Sequence, residues 1–303
     1  MPIPLVDPFR ASLAHSIRQS VGGDPSEGHE MADPTGAGDP GWFGPGSVVW
    51  RVHGDFPAML IGGVSSLLLQ TLHPGAMAGV DEHSNWREDP LGRLQRTAQF
   101  LAITTFGTSD EAARSVRQVK AIHRRVSGVR PDGVEYEAND PDLLRWVHVA
   151  EVFQFLRSYQ RYAFPPLRRA ERDQYLAEVA RVAEELGAVD VPHSVREVEQ
   201  YLATVRPELV ATEAALATAR DLTVSRAPDP VQRAAYDVIV KAAVGLLPAW
   251  AREMLGLTAR FRLQDQVSQA QATAMAGTLR WALSGSEVAR NADARAASTP
   301  VAG

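Results

Sequence analysis

Residues 142–164 read DLLRWVHVAEVFQFLRSYQRYAF, and this stretch decides the fold. Asp140-Pro141 precedes it and Pro165-Pro166 follows it. Aspartate is a good helix N-cap and proline suits the first helical position, whereas a Pro-Pro pair does not continue a helix. Between these signals Leu144, His148, Val152, Phe155 and Tyr159 share one helix face, at steps of three and four. The spacing predicts a long, largely buried helix with a histidine inside its apolar stripe.

The same signals recur outward from that helix. Asp89-Pro90 opens a helix that Gly107 closes. Ser109 is expected to cap the next one, with Asp110 and Glu111 complementing its dipole, in the run DEAARSVRQVKAIHRRVSG that ends at Gly128. Helical patterns follow at 171–187, 194–205, 229–257 (broken near Pro248) and 263–283. Residues 58–72, AMLIGGVSSLLLQTL, form the most apolar segment, about fifteen residues where a membrane span needs about twenty. It is predicted to be a buried helix. No run of alternating β-branched residues is long enough to predict a strand.

The expected architecture is therefore all-α, a single large helical domain over 47–284. An irregular arm over 1–46 is dense in Gly, Pro and Asp at 22–46, and a small, polar tail at 285–303 is expected to be disordered.

Bulk properties narrow the function. The chain has 303 residues, 45% of them hydrophobic and 22% charged, ordinary values for a soluble globular protein. A net charge of −5 gives no sign of the basic patch that nucleic-acid binding needs. With no cysteine there is no disulfide, thiolate-held zinc, iron–sulfur cluster, catalytic thiol or covalent haem attachment through cysteine. The N-terminus MPIPLVDPFRASL lacks the basic start and apolar run of a signal peptide, so a cytoplasmic protein without an integral membrane segment is expected.

Histidines and arginines supply the candidate chemistry. Ala112, Val116, Val119, His123 and Val126 step along one face, which puts His123, like His148, in an expected buried stripe. Each imidazole reads in two ways: a core histidine bonded to a backbone carbonyl, or an axial ligand to iron from an apolar pocket. His15, His29 and His193 sit in polar or turn contexts and receive no role. No Glu-x-x-His, His-Glu-x-x-His, phosphate loop or Gly-x-Ser-x-Gly elbow occurs. The segment LHPGAMAGVDEHSNWREDP (72–90) concentrates His73, Asp81, Glu82, His83, Trp86 and Arg87 in an expected helix end and loop, a site entrance or a solvated connection. In GRLQRTAQF (92–100), Arg93 and Thr97 are i, i+4 neighbours with Arg96 beside them. A buried arginine needs an anion, either a carboxylate in an ordinary salt bridge or a ligand's acidic group.

Four segments occur in order: WRVHGDFPAMLIGGVSSLLLQTLHPGAMAGVDEHS, DPLGRLQRTAQFL with TTFG, VKAIHRRVSG, and YEANDPDLLRWVHVAEVF. Over roughly residues 40–260 the chain resembles the bacterial branch of the MpaB-like and latex-clearing-protein oxygenases. The resemblance implies an all-helical fold with a globin-like core and one non-covalent haem b. It also implies use of dioxygen to oxidise or cleave an apolar unsaturated molecule. The family's distal Arg-x-x-Lys-Thr matches Arg93-Leu94-Gln95-Arg96-Thr97, with Arg96 where the family has a lysine that can bind iron. Arginine stays protonated and is a poor iron ligand. The globin-like arrangement puts distal and proximal residues about thirty positions apart. Arg96 to His123 is 27 positions and Arg96 to His148 is 52. The resemblance therefore favours His123 as axial ligand, with His148 second. It implies Arg93 and Thr97 as distal or propionate donors, and an acidic base for which Glu82 is a candidate.

Three functions from different classes follow: a haem-dependent oxygenase, a haem-binding carrier or sensor without turnover, and a helical protein that binds no cofactor. The expected partners are a hydrophobic small molecule and dioxygen, with no nucleic acid. Polyisoprene itself is disfavoured as substrate because it is extracellular.

Overall fold

The computed structural model describes residues 39–84, 86, 90–225, 230–258 and 270–278, and is all-α apart from one small hairpin. The helices are α1 (Val48–His53), α2 (Phe56–Gln70), α3 (Pro74–His83), α4 (Pro90–Phe106), α5 (Ser109–His123), α6 (Pro141–Tyr162), α7 (Arg169–Leu186), α8 (Val195–Val205), α9 (Glu213–Leu222), α10 (Pro230–Leu246) and α11 (Ala249–Met254). A helical stretch at 270–278 follows. The expected arm and tail fall mostly or wholly outside the described residues.

The axis of the bundle is the pair α2 and α6. Helix α2 is apolar on most of its circumference, and a helix apolar all round has to be enclosed by others; α6 carries buried residues along its length from Leu144 to Tyr162. On α6 the predicted stripe Leu144, His148, Val152, Phe155 and Tyr159 is buried throughout. Trp146, fully buried, donates from Nε1 to the Gln70 carbonyl at 3.3 Å and so ties α6 to the end of α2. Gly62 permits the close approach. A Cβ there would meet the Phe155 ring at 3.0 Å and the Gln154 carbonyl oxygen at 3.1 Å. Helix α10 packs on α2, while α1 packs on α7 and α4, and α5 on α4 and α7.

Polar contacts fix the helix ends. The Glu178 carboxylate accepts from the Val49 N–H at 3.0 Å, and Arg51 pairs with Glu171 at 2.7 Å, joining α1 to α7. Asp39 accepts from the Ser109 N–H and hydroxyl at 2.8 and 2.9 Å. The cap of α5 is Thr108, one residue before the expected Ser109. Thr108 accepts from the Glu111 N–H while Glu111 accepts back from the Thr108 N–H, a reciprocal capping box.

Two local expectations change. Helix α5 stops at His123, and Ser127–Val129 pairs antiparallel with Glu135–Glu137, in the register Gly128 opposite Tyr136. Strands this short carry no alternating signature. The 72–90 segment holds a helix of its own, α3, capped by His73. Among the described residues no single helix is long and apolar enough to cross a membrane; α2 and α3 pass only as a pair, bent by 103°.

Candidate functional site

Helices α1, α4, α6 and α7 bring a group of polar side chains into the apolar interior. His53 ends α1 and is buried. Its Nδ1 lies 2.8 Å from the Thr105 hydroxyl of α4, and its Nε2 lies 3.1 Å from the Tyr175 hydroxyl of α7. Burial pushes the Tyr175 phenol well above its ordinary range, with the Glu151 charge adding to the effect. Tyr175 is therefore a neutral donor to Nε2, and Nδ1–H is assigned as the donor to Thr105. The Phe155 and Tyr175 rings stand edge-on to the imidazole, at 5.6 and 5.8 Å between centroids. Burial, and then the neighbouring His148, lower His53 to about 3, so it is uncharged near neutral pH.

His148 and Glu151 come from α6, three residues apart on adjoining faces. His148 is buried with its Nε2 unbonded, and burial lowers it to about 4, with His193 contributing. Glu151 sits deep in the bundle, and burial raises its carboxyl to about 7. The side chain nevertheless keeps some accessible surface. An acid so tuned exchanges a proton near neutral pH.

His123 lies elsewhere, at the last position of α5. Ala112 and Val116 of its expected stripe are buried, but Val119, His123 and Val126 are only half-buried. The helix end loosens the stripe there. The His123 Nδ1 is buried and unbonded, and burial lowers its pKa. It borders a recess of about 150 Å³ with Glu137 and Asn139, whose Oδ1 is also buried and unbonded. On α4, Arg96 is exposed and Thr97 half-buried, while the Arg93 side chain lies outside the described residues. Glu82 accepts from the Tyr136 hydroxyl at 2.6 Å, tying α3 to the hairpin.

Sequence reasoning passed over His53 and Glu151. The signal for Glu151 was a lone acid inside the apolar run WVHVAEVF. His53 sits on a six-residue helix, too short to show a stripe.

The donor set can be tested against a cofactor. Among the described residues no three His, Asp or Glu side chains are grouped to hold a metal ion. Haem iron asks for as little as one neutral imidazole from the protein. His123 and His148 each present a buried, unbonded ring nitrogen with a depressed pKa. That chemistry fits haem, although the recess beside His123 is by itself smaller than the ~300–1,000 Å³ typical of ligand pockets.

The chain belongs to the family described as the ER-bound oxygenase mpaB/B'/rubber oxygenase catalytic domain, whose model matches residues 50–281. Two similar proteins are the uncharacterized protein Mb2261 of Mycobacterium bovis and the uncharacterized protein Rv2237 of Mycobacterium tuberculosis. Each is 28% identical over 122 residues, 39% of this chain and 48% of the relative. The chain thus spans about half the length of the curated relatives it matches. No solved structure gives a significant match.

Proposed function

We propose that this protein is a haem b-dependent oxygenase that uses dioxygen to oxidise or cleave an apolar, unsaturated small molecule. The family match over residues 50–281 carries this reading. In it His123 holds the iron, on its spacing from Arg96 and its unbonded nitrogen, with His148 as the second choice. Haem, when bound, would supply the activation of dioxygen.

The chain's own groups do the rest. Arg93 and Thr97 of α4 would serve as distal or propionate donors, as the family motif implies, and a donor fixed in advance stabilises developing negative charge. Arg96 is exposed, which suits an acidic edge group better than an interior role. With His148 as the ligand, Glu151, three residues along α6, would hold or release a proton near neutral pH, a role for which Glu82 is less suited because it is engaged by Tyr136. Around the second choice, His148, the buried side chains of Leu144, Val152 and Phe155 would keep water out and favour an apolar substrate.

The test is a visible spectrum of the freshly purified protein, then dioxygen consumption with apolar alkenes. A Soret band, haem extractable into acidified butanone and substrate-dependent dioxygen uptake are expected. A colourless protein that takes up no added haemin would overturn the reading. Haem without dioxygen consumption on any substrate would make it a carrier or sensor.

A further inference from the structure

On the side of α6 away from His148, a cleft of about 460 Å³ opens between α6, α7, α8 and α10. It shares no lining residue with the histidine cluster. Four cations line it: Arg157 and Arg161 of α6, Arg172 of α7 and Lys241 of α10. Glu199 of α8 is its only acidic side chain among the described residues, and it is exposed. The floor is apolar, formed by Leu156, Leu176, Val198 and Leu246, all buried.

These cations are not neutralised among the described residues. Among the described residues none of the four makes an ion pair, although arginines elsewhere in the chain do so at 2.6–2.7 Å. The Nε atoms of Arg157 and Arg172 are buried and unbonded. Arg157 is held over the Phe153 ring at 5.2 Å, with the Arg252 charge near it rather than an acid. A guanidinium taken from water needs an anion and hydrogen-bond acceptors in return. Arg157 and Arg161 are i, i+4 neighbours, so both heads project to one side of α6.

The geometry points to a second binding site, for an amphiphilic anion whose carboxylate or phosphate head meets Arg157, Arg161, Arg172 and Lys241 and whose hydrocarbon chain lies on the Leu156–Leu246 floor. A free inorganic anion would leave that floor unused, and a neutral lipid would leave the guanidiniums unpaired. The volume falls in the ordinary range for a pocket holding one small molecule, about 300–1,000 Å³.

Calorimetric titration of the full chain with decanoate, decyl phosphate, decanol and inorganic phosphate tests this. One equivalent of decanoate or decyl phosphate should bind, and the tighter of the two identifies the head group. Arg157→Gln and Arg172→Gln should each weaken binding tenfold or more. Should these variants fail to fold, Arg161→Gln and Lys241→Gln, nearer the surface, should show the same loss. Decanol binding as tightly as decanoate, inorganic phosphate binding as tightly as decyl phosphate, no binding of either anion, or unchanged affinity in the charge variants would each overturn the proposal. The titration does not depend on haem, so its failure is distinct from failure of the oxygenase reading.

Discussion

The Nε2 of His53 lies 3.1 Å from the Tyr175 hydroxyl, a bond between residues 122 positions apart that joins the end of α1 to the middle of α7 inside the bundle. Phe at position 175 would keep the ring and strip the imidazole of this partner. A buried polar atom left unbonded costs about 1–3 kcal/mol. Tyr175→Phe should therefore lower the stability measured by denaturant titration by that amount. In a double-mutant cycle with Thr105→Val the two losses should not add, because both act through one imidazole.

Stability should depend on pH in a sense fixed by four groups. His53, His73 and His148 are lowered by burial to about 3, 4 and 4. Below pH 6.5 the unfolded chain takes up protons that these folded imidazoles refuse. Their contribution is whole above pH 6.5 and is lost as pH falls, by about 1.4 kcal/mol per pH unit for each. Glu151, raised to about 7, acts oppositely. Its contribution is whole below about pH 4.5 and is lost as pH rises to 7. Unfolding followed from pH 8 to pH 4 should show a loss of about 2.8 kcal/mol per pH unit between pH 6.5 and 4.5, where Glu151 offsets one of the three histidines, and a steeper loss just below. In Glu151→Gln the loss should be steep from pH 6.5 downward, and the variant should be more stable than the parent at pH 8, by on the order of 3 kcal/mol.

What the sequence disclosed follows from how far each signal reaches. The α6 stripe was legible because it repeats over four turns between an Asp-Pro start and a Pro-Pro stop, and every residue of it is buried. Helix α2 was legible as a buried helix from its apolar run. The bonds of His53 were not, because Thr105 and Tyr175 come from other helices 52 and 122 positions away. Nor was the role of Glu151. An acid in an apolar helix looks the same in sequence whether it snorkels to water or is enclosed, and only the packing around α6 distinguishes the two. The His123 stripe misled in part. Periodicity locates a face, but it does not say that the face is exposed again where the helix ends.

Two adjacent glycines should respond to alanine with opposite signs. A Cβ on Gly63 would sit 3.9 Å from the Phe155 ring, an ordinary contact. Gly63→Ala should stabilise by about 0.5–1 kcal/mol through helix propensity. A Cβ on Gly62 would press on the α6 backbone at 3.1 Å and the Phe155 ring at 3.0 Å. Backbone yields less than a flexible side chain, and overpacking costs about 1–3 kcal/mol, more than the propensity gained. Gly62→Ala should lower the melting temperature while Gly63→Ala raises it. The same direction in both would mean that the α2–α6 contact is looser than these distances.

The remaining prediction separates the two histidines proposed for haem. His123 is half-buried at a helix end, and its unbonded Nδ1 borders a recess. His148 is buried on the central helix among Leu144, Val152 and Phe155. Truncating them should therefore have different consequences. His123→Ala removes little core packing, so the fold should stay close to parental stability while the Soret band disappears or haem is lost on gel filtration. His148→Ala opens a hole in the central stripe, and truncating a large buried side chain costs about 2–5 kcal/mol. That variant should melt earlier yet still take up haemin. Adding imidazole distinguishes lost ligation from lost structure: a small exogenous ligand should restore the haem spectrum of His123→Ala and leave the melting temperature of His148→Ala unchanged. Loss of the Soret band in His148→Ala, with restoration by imidazole and full haem content in His123→Ala, would transfer the axial role to His148. The 27-residue spacing from Arg96 would then carry no information about the iron.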